Sequence, residues 1–194
     1  EKKQSGSNRV VVQFLAWLTG VLIFVESSIS VLTVGALYRP VFDKLKISRE
    51  KLAYLADSSS APSSIILPFN GWGAFIMGLL ATDFANPFGV MMSAMKYNFY
   101  PFLALILALI LIFSIKDYGP MARAEKRARE EGKLLADGAQ PMISEELTEV
   151  KTKEGVKPRA RNMVFPIALM VLMMPVMLIY TGWGAAMETI PDAS

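Results

Sequence analysis

Four long stretches of this chain carry no charged residue and are rich in apolar side chains. They are Val10–Val25, Ser58–Thr82, Asn98–Ile115 and Asn162–Met187. A helix that crosses the hydrocarbon layer of a membrane needs about 20 mostly apolar residues, with about 17 as the lower end. The second and fourth stretches satisfy this requirement, and the other two nearly do. The pattern therefore predicts an all-α, polytopic integral membrane protein.

The composition narrows the chemistry that such a protein can perform. Hydrophobic residues make up 53% of the 194 residues, and the chain contains no Cys and no His. Disulfides, Cys-based metal sites and imidazole acid–base chemistry are therefore excluded. Because no nucleophile stands at a spacing that would pair it with a base, we do not expect an enzyme. We also expect no cofactor, apart from a bound sodium ion.

Positive charge lies beside the apolar runs, which is typical of a topology signal rather than of a nucleic-acid surface. Five Lys and Arg residues lie in Arg39–Lys51 and eleven in Lys116–Arg161, against Lys96 alone in Asp83–Asn98. The two basic stretches are predicted to face the cytoplasm from the cell membrane. Loop 116–161 is expected to be a solvated connector on that side, with a regulatory or lipid-binding role as the alternative.

The N-terminus conflicts with this topology. If Val10–Leu37 crosses the membrane once, Lys2, Lys3 and Arg9 lie on the outside, against the positive-inside rule. The chain otherwise divides into membrane segments in 1–115, the charged loop 116–161 and a transmembrane helix at 162–187.

The chain is expected to be a piece of a longer protein. It starts at Glu1 rather than at a Met, and it stops soon after the last apolar run. The remaining half of a transporter, membrane lipid and a second copy in a homodimer are therefore the expected partners, and nucleic acid is not.

The first candidate site surrounds Glu26, in the sequence LIFVESSISVLTVG. A carboxylate at membrane depth is costly and usually faces a cavity or a functional path. The hydroxyls of Ser27 and Ser30 can act beside it as oxygen donors. We expect the helix to be interrupted at 26–30 with Glu26 near the middle of the membrane; the alternative is a solvated helix end.

The second candidate site is KLAYLADSSSAPSSIILPFNGWGAFIMG, which no continuous helix favours. Its candidate ligands are Asp57, Ser58, Ser59 and Ser60. Its expected helix-breaking residues are Pro62, Pro68, Asn70, Gly71 and Gly73. Proline disfavours helical geometry in the preceding residue, so a hairpin or discontinuous helix is predicted between 57 and 73. Broken helices of this kind present oxygens to ions in secondary transporters. The alternative is a loop outside the membrane.

These two sites offer oxygen ligands only. Hard cations such as sodium require several oxygens, and Glu26 and Asp57 are the candidate sodium ligands among them. The same carboxylates can bind a proton, and competition between the two ions is the minimal requirement for exchange.

The segment RPVFDKLKISREKLAYLADSSSAPSSIILPFNGWGAFIMGLL resembles the signature region of NhaC-type sodium/proton antiporters, which belong to the ion transporter superfamily. The matching positions are Arg39, Pro40, Asp43, Ile47–Tyr54, Asp57, Ser58, Ala61, Pro62, Pro68, Trp72 and Gly73. Upstream, the family usually has FDDYANTL where this chain has VESSISVL, so Glu26 keeps the first acid and serines replace the second acid, the tyrosine and the asparagine. The resemblance covers about Phe24–Leu80, roughly a third of the chain.

The resemblance implies a secondary active transporter built from two inverted repeats, with substrate held by broken helices. Sodium (or other cation)/proton antiport is the leading expectation. A sodium- or proton-coupled carrier of a small organic acid, such as lactate or malate, is the alternative with the same fold. A membrane interaction subunit that does not transport is the alternative from another class.

Overall fold

The computed structural model describes residues 2–114, 116–139 and 161–189, and every regular element in these ranges is an α-helix. The all-α prediction is therefore confirmed for this part of the chain. The helices are α1 (Lys2–Leu22), α2 (Ser27–Lys44), α3 (Arg49–Ile66), α4 (Gly71–Leu80), α5 (Pro87–Met95), α6 (Phe99–Ser114), α7 (Gly119–Glu130) and α8 (Arg161–Thr189).

Three helical segments are long and apolar enough to cross a membrane: Arg49–Leu80, Phe99–Glu130 and Phe165–Trp183. They correspond to the three later apolar runs of the sequence and indicate membrane association. The first run, Val10–Val25, is not among them, because helical structure stops at Leu22 and resumes only in α2.

Helices α1 and α2 form an antiparallel hairpin. Arg9 donates to the carbonyl oxygen of Leu45 over 2.6 Å, and further along the same interface the hydroxyls of Thr19 and Tyr38 lie 2.8 Å apart. The start of α1 and the end of α2 therefore lie at the same end of the hairpin, which we call the basic end. The conflict found in the sequence depended on a single crossing from 10 to 37. The hairpin removes it, because Arg9 lies beside the basic stretch instead of opposite it.

The turn from α2 to α3 is a Schellman motif. Lys46 adopts the left-handed conformation with φ 53°, its N–H donates to Asp43, and the Ile47 N–H donates to Phe42. Ile47 and Phe42 are both fully buried, which supplies the apolar contact that usually accompanies this motif. Ser48 then caps α3 by accepting from the Lys51 N–H over 3.3 Å.

Helix α3 lies at the centre of residues 1–144, which form one compact unit, packed against α1, α2 and α6. The buried core contains Ala16, Val34, Phe42, Ile47, Leu52, Leu55, Ala56, Ala108 and Ile112. The second unit, 145–194, contains α8, which exposes several large apolar side chains, among them Leu172 and Tyr180.

The prediction that helical structure breaks at Pro62 is wrong. Helix α3 continues through the fully buried Pro62 as far as Ile66. Proline removes one backbone donor from the helix, the one that would pair with the Ser58 carbonyl four residues earlier, and α3 continues without this bond. Ser59 and Ser63, on either side, donate to carbonyl oxygens of the same helix over 2.7 and 2.9 Å.

Helical structure is interrupted farther along, between Ile66 and Gly71. Asn70 caps α4: its side-chain oxygen accepts from the Gly73 N–H over 2.9 Å. A Cβ added to Gly73 would lie 1.9 Å from the Pro68 carbonyl oxygen, so the turn closes only with glycine at this position. Four of the five predicted helix-breaking residues, Pro68, Asn70, Gly71 and Gly73, therefore lie at the turn or at the start of α4.

Candidate functional site

A cluster of serine hydroxyls lies where α1, α2 and α3 meet. The Ser30 hydroxyl donates to the Gly20 carbonyl over 2.9 Å, and the Ser60 hydroxyl lies 2.7 Å from that of Ser30. Ser59 donates to the Leu55 carbonyl over 2.7 Å. Ser30, Ser59 and Ser60 are all fully buried. Three of the predicted site residues are thus brought together in the interior, and we call them the serine cluster.

Close approach of the helices depends on Gly20. A Cβ at this position would lie 1.9 Å from the Ser59 hydroxyl oxygen and 2.9 Å from the Ser59 Cβ. Only a residue without a side chain lets α1 come this near to α3, and the carbonyl of the same residue accepts from Ser30 of α2. Gly20 is therefore a positioning residue of the cluster, and its role was missed from the sequence because a lone glycine in a helical run carries no signal of contact.

The cluster has more short oxygen contacts than protons. The Ser60 hydroxyl is 2.6 Å from the Ala56 carbonyl as well as 2.7 Å from the Ser30 hydroxyl, and Ser30 already donates to Gly20. Three oxygen–oxygen contacts therefore share the two protons of two hydroxyls. One hydroxyl proton is therefore shared between two acceptors or bonds to one of them only, as is common for a serine that also bonds back to a carbonyl of its own helix.

Glu26 caps α2 at the opposite end of the hairpin from Arg9. Its carboxylate accepts from the Ser28 N–H over 2.9 Å, and its backbone is extended, as expected for an N-cap residue. A carboxylate at this point also interacts favourably with the positive end of the helix dipole. Glu26 and Ser27 are half-buried, and among the described contacts neither side chain bonds to the serine cluster.

Asp57 lies on the exposed side of α3, and Ser58 beside it is half-buried. One turn separates Asp57 from the buried hydroxyl of Ser60, but a separation of three residues also rotates the side chain by about 60° around the helix. The two predicted acids, Glu26 and Asp57, are therefore not joined in one ligand shell by any contact in the described residues. Within those residues, no group of three or more acidic side chains is placed to hold a metal ion.

The two interruptions of helical structure meet each other. The Asn70 amide nitrogen donates to the Ser64 carbonyl over 2.6 Å and to the Leu67 carbonyl over 3.0 Å, and it lies 3.5 Å from the Phe24 carbonyl. Asn70 thus links the end of α3 to the segment between α1 and α2. The sequence indicated Asn70 as a helix breaker; that it also joins the two breaks is visible only in the structure.

A groove of about 560 Å³ opens beside this junction. Ser27 lies at its α2 side, Ser64 and Pro68 on the α3 side, and Trp72 and Asn98 farther along. Its walls are mainly apolar, with a few hydroxyl and amide groups, which is the usual make-up of a small-molecule site. Asp57 precedes Ala61 and Ser64, both groove residues, by four and seven positions, so it lies on the same face of α3.

The opposite, basic end contains a buried ionic network. Glu125 of α7 is 3% exposed; it accepts from the Ser48 N–H over 2.8 Å and from the Ser48 hydroxyl over 2.9 Å, and it forms an ion pair with Arg9. Lys51 pairs with Asp117 over 2.8 Å. Burial lowers the pKa of Arg9 below its ordinary value, although the nearby Glu125 carboxylate raises that pKa.

The expectation of a purely solvated connector is therefore wrong for the first part of loop 116–161. Helix α7 carries buried residues that are bonded to α1 and α3. An alternation of Glu and Arg along a helix is typical of a solvated face, and no local signal marks which acid is buried. Residues 140–160 lie outside the described part of the chain.

Comparison with known proteins gives one informative similarity. No family model matches the chain, and no solved structure matches it. A protein of Haemophilus influenzae described as uncharacterized is 33% identical over 166 residues, which cover 82% of this chain and 29% of that protein. The chain thus spans less than a third of that relative's length. The fold and the sequence together define a helical protein with segments able to cross a membrane.

Proposed function

We propose that this chain is part of a secondary active transporter of the NhaC type, which exchanges sodium or another cation for protons across the cell membrane. The observation that carries the proposal is the buried serine cluster, in which hydroxyl and carbonyl oxygens of three helices converge. Three oxygen contacts among Gly20, Ser30, Ser60 and Ala56 share two hydroxyl protons. A hard cation or an additional proton supplies the positive charge that such a set of oxygens favours.

The position of the helix breaks supports a site within the membrane. From Arg9 to Leu22, α1 rises roughly 20 Å. The hydrocarbon core is about 30 Å thick. If the basic end lies at the cytoplasmic surface, the break after Leu22 and the Asn70 junction lie at membrane depth. Backbone without helical hydrogen bonds persists at this depth only where it is buried in protein or lines an aqueous cavity.

Glu26 favours a cation over an anion as the transported ion. Its carboxylate already occupies the positive N-terminus of α2, where an anionic substrate would otherwise bind. Glu26 and Asp57 act in this proposal as the groups that bind or relay the cation or proton; Glu26 directly precedes the groove residue Ser27, and Asp57 lies one turn before the groove residue Ala61. Ser58 remains a neutral donor beside Asp57.

The groove itself supports a second candidate function, a sodium- or proton-coupled carrier of a small organic acid. The N-terminus of α4 opens onto the groove, since Trp72 lies in the first turn of that helix, whereas the N-terminus of α2 is occupied by Glu26. A cavity of about 560 Å³ is large enough for such an acid. The third candidate function is that of a membrane subunit that does not transport, for which no flux of any solute is expected.

The experiment is ion exchange by the complete protein in liposomes with a pH-sensitive dye inside. Sodium, potassium, lactate and malate are added in turn. The variants are Glu26→Gln, which can still accept from the Ser28 N–H while losing its charge, and Asp57→Asn. Asp83→Asn is the matched control, because Asp83 is an exposed acid between α4 and α5.

Cation-driven proton movement that both site variants abolish and the Asp83 control retains supports antiport at these carboxylates. Flux with an organic acid, together with silence for each cation alone, supports the carrier. Unchanged exchange in Glu26→Gln and Asp57→Asn rules out their proposed role, and silence with every solute favours the non-transporting subunit.

A further inference from the structure

Helix α7 is attached to the basic end mainly by polar contacts. Glu125 bonds to Arg9 and to Ser48, and Arg127 forms an ion pair with Glu50. The apolar part of the attachment is small, because the buried side chains of α7 besides Glu125 are Ala124 and Ala128. An interface that depends on ionic bonds and two methyl groups has little of the apolar burial that holds permanent helix packings together.

Glycines in the left-handed conformation lie at both ends of α7. Gly119 has φ 56° and Gly132 has φ 72°, and a Cβ at either would meet no atom within 4 Å. Their conformations are thus set by the backbone path and not by packing around them. The N-terminus of α7 also lacks a side-chain cap, since Tyr118 makes no capping bond. Both connections are therefore suited to let the helix move as a unit.

The contacts of α7 bridge α1 and α3 at this end, where Arg9 of α1 also bonds to the Leu45 and Lys46 carbonyls just before α3. One oxygen of Glu125 accepts from the N-terminus of α3, at Ser48, and the other faces Arg9 of α1. The Arg49 N–H adds a bond to the Leu134 carbonyl, just beyond α7. Ser60 of the serine cluster lies twelve residues along α3 from Ser48, roughly 18 Å away.

We propose that α7 is a latch: docked on the cytoplasmic side, it holds the basic ends of α1 and α3 together, and it can detach from them. Glu125 is the residue on which its docking mainly depends. When α7 leaves, Ser48 at the start of α3 loses its bonds to Glu125 and Arg9 of α1 loses its ion pair, so the basic ends of the two helices are joined less tightly. The latch rests on the contacts above. Its effect on exchange rests on the proposed transport function, and the two are tested separately.

Thiol labelling tests the latch without any transport measurement. The 194 residues contain no Cys, so Ala128→Cys introduces a unique thiol among them at a position that is 0% exposed while α7 is docked. The complete protein carrying this change is labelled with a maleimide in detergent, and the rate is followed on the peptide that contains residue 128. Arg123→Cys, on the exposed side of α7, reports the rate of an accessible thiol.

The comparison is between Glu125→Gln and Glu130→Gln in the Ala128→Cys background. Both changes remove one negative charge from α7, but Glu130 is 65% exposed and pairs only loosely, over 3.9 Å, with Lys126. We expect protection of the thiol in the parent and with Glu130→Gln, and labelling at least about tenfold faster with Glu125→Gln, because breaking a buried ion pair is strongly destabilising. Arg127→Gln, which removes the ion pair with Glu50, is also expected to make labelling of the thiol at position 128 faster.

Two labelling results would overturn the latch. One is a parent in which the thiol at position 128 reacts as fast as the thiol at position 123, and the other is equal rates in the Glu125→Gln and Glu130→Gln backgrounds. Faster labelling together with a circular dichroism spectrum equal to the parent's shows that α7 has detached without loss of the helical fold. A general loss of helix with Glu125→Gln would instead make Glu125 a folding residue and would also overturn the latch.

Coupling to transport has its own readout. In liposomes, exchange that is altered by Glu125→Gln and not by Glu130→Gln supports coupling between the latch and transport. Absence of exchange in every variant would count against the transport function and leave the labelling result standing.

Discussion

The Ser60 hydroxyl lies 2.7 Å from the Ser30 hydroxyl and joins α3 to α2 in the interior of the chain. Thirty residues separate the two in sequence. Each also contacts a backbone carbonyl, Gly20 for Ser30 and Ala56 for Ser60. The pair therefore connects three helices through neutral oxygens, and it is the part of the structure on which the proposed cation binding depends.

Removal of either hydroxyl is expected to lower stability by a similar amount. Ser30→Ala and Ser60→Ala should each reduce the free energy of unfolding by about 1 kcal/mol, because each deletes a buried hydrogen bond. The double variant should lose less than the sum of the two, since the shared bond is counted twice. Melting temperatures in detergent measure this, and strict additivity would show that the two hydroxyls do not interact.

Gly20→Ala is expected to destabilise the protein by roughly 1–3 kcal/mol, because the added methyl group overlaps the Ser59 side chain. Gly35→Ala is the matched control: a Cβ there meets nothing within 4 Å, so the change should be neutral or stabilising. Thermal unfolding of both variants decides this. Ser59→Gly in the Gly20→Ala background should recover part of the loss, and a Gly20 variant as stable as the Gly35 variant contradicts the close approach of α1 and α3.

The Lys51–Asp117 pair should behave as a buried ion pair. The side chains are 3% and 4% exposed, so Lys51→Met leaves the Asp117 charge without its partner and should cost about 3–5 kcal/mol. Replacing both, with Lys51→Met and Asp117→Leu, should restore a large part of that loss, because no unpaired charge remains. Unfolding midpoints of the two single variants and the double variant provide the comparison; a double variant less stable than either single one argues against the pair.

Asp137 should titrate below its ordinary range. The hydrogen bond from Lys133, 2.9 Å long, and the charge of that ammonium lower the Asp137 pKa, and the same contact raises the Lys133 pKa. The contact is therefore fully present above the ordinary Asp pKa of about 3.9 and is lost as the pH falls through the lower folded value. Carboxyl NMR shifts should show this, and Lys133→Gln should return the midpoint to its ordinary value.

The α-helical class and several helix ends follow from the sequence alone. Uncharged apolar runs of sufficient length require helices, since the backbone must satisfy its own hydrogen bonds in a membrane. Asn70, Gly71 and Gly73 also mark the start of α4 correctly, because capping and tight turns depend on a few adjacent residues. Pro62 shows the limit of such local reasoning: α3 continues through this buried proline and ends only at Ile66.

The tertiary structure decides which of the predicted residues meet. The sequence determined that acids, hydroxyls and helix breaks are present, but not that Ser30 and Ser60 face each other while Asp57 is exposed. Those outcomes depend on the rotation and spacing of whole helices, and hence on distant residues such as Gly20, whose missing side chain permits the contact with Ser59. For the same reason Glu125, one acid among several in a charged stretch, is buried against Arg9 and Ser48 only because the chain after α6 folds back onto the basic end.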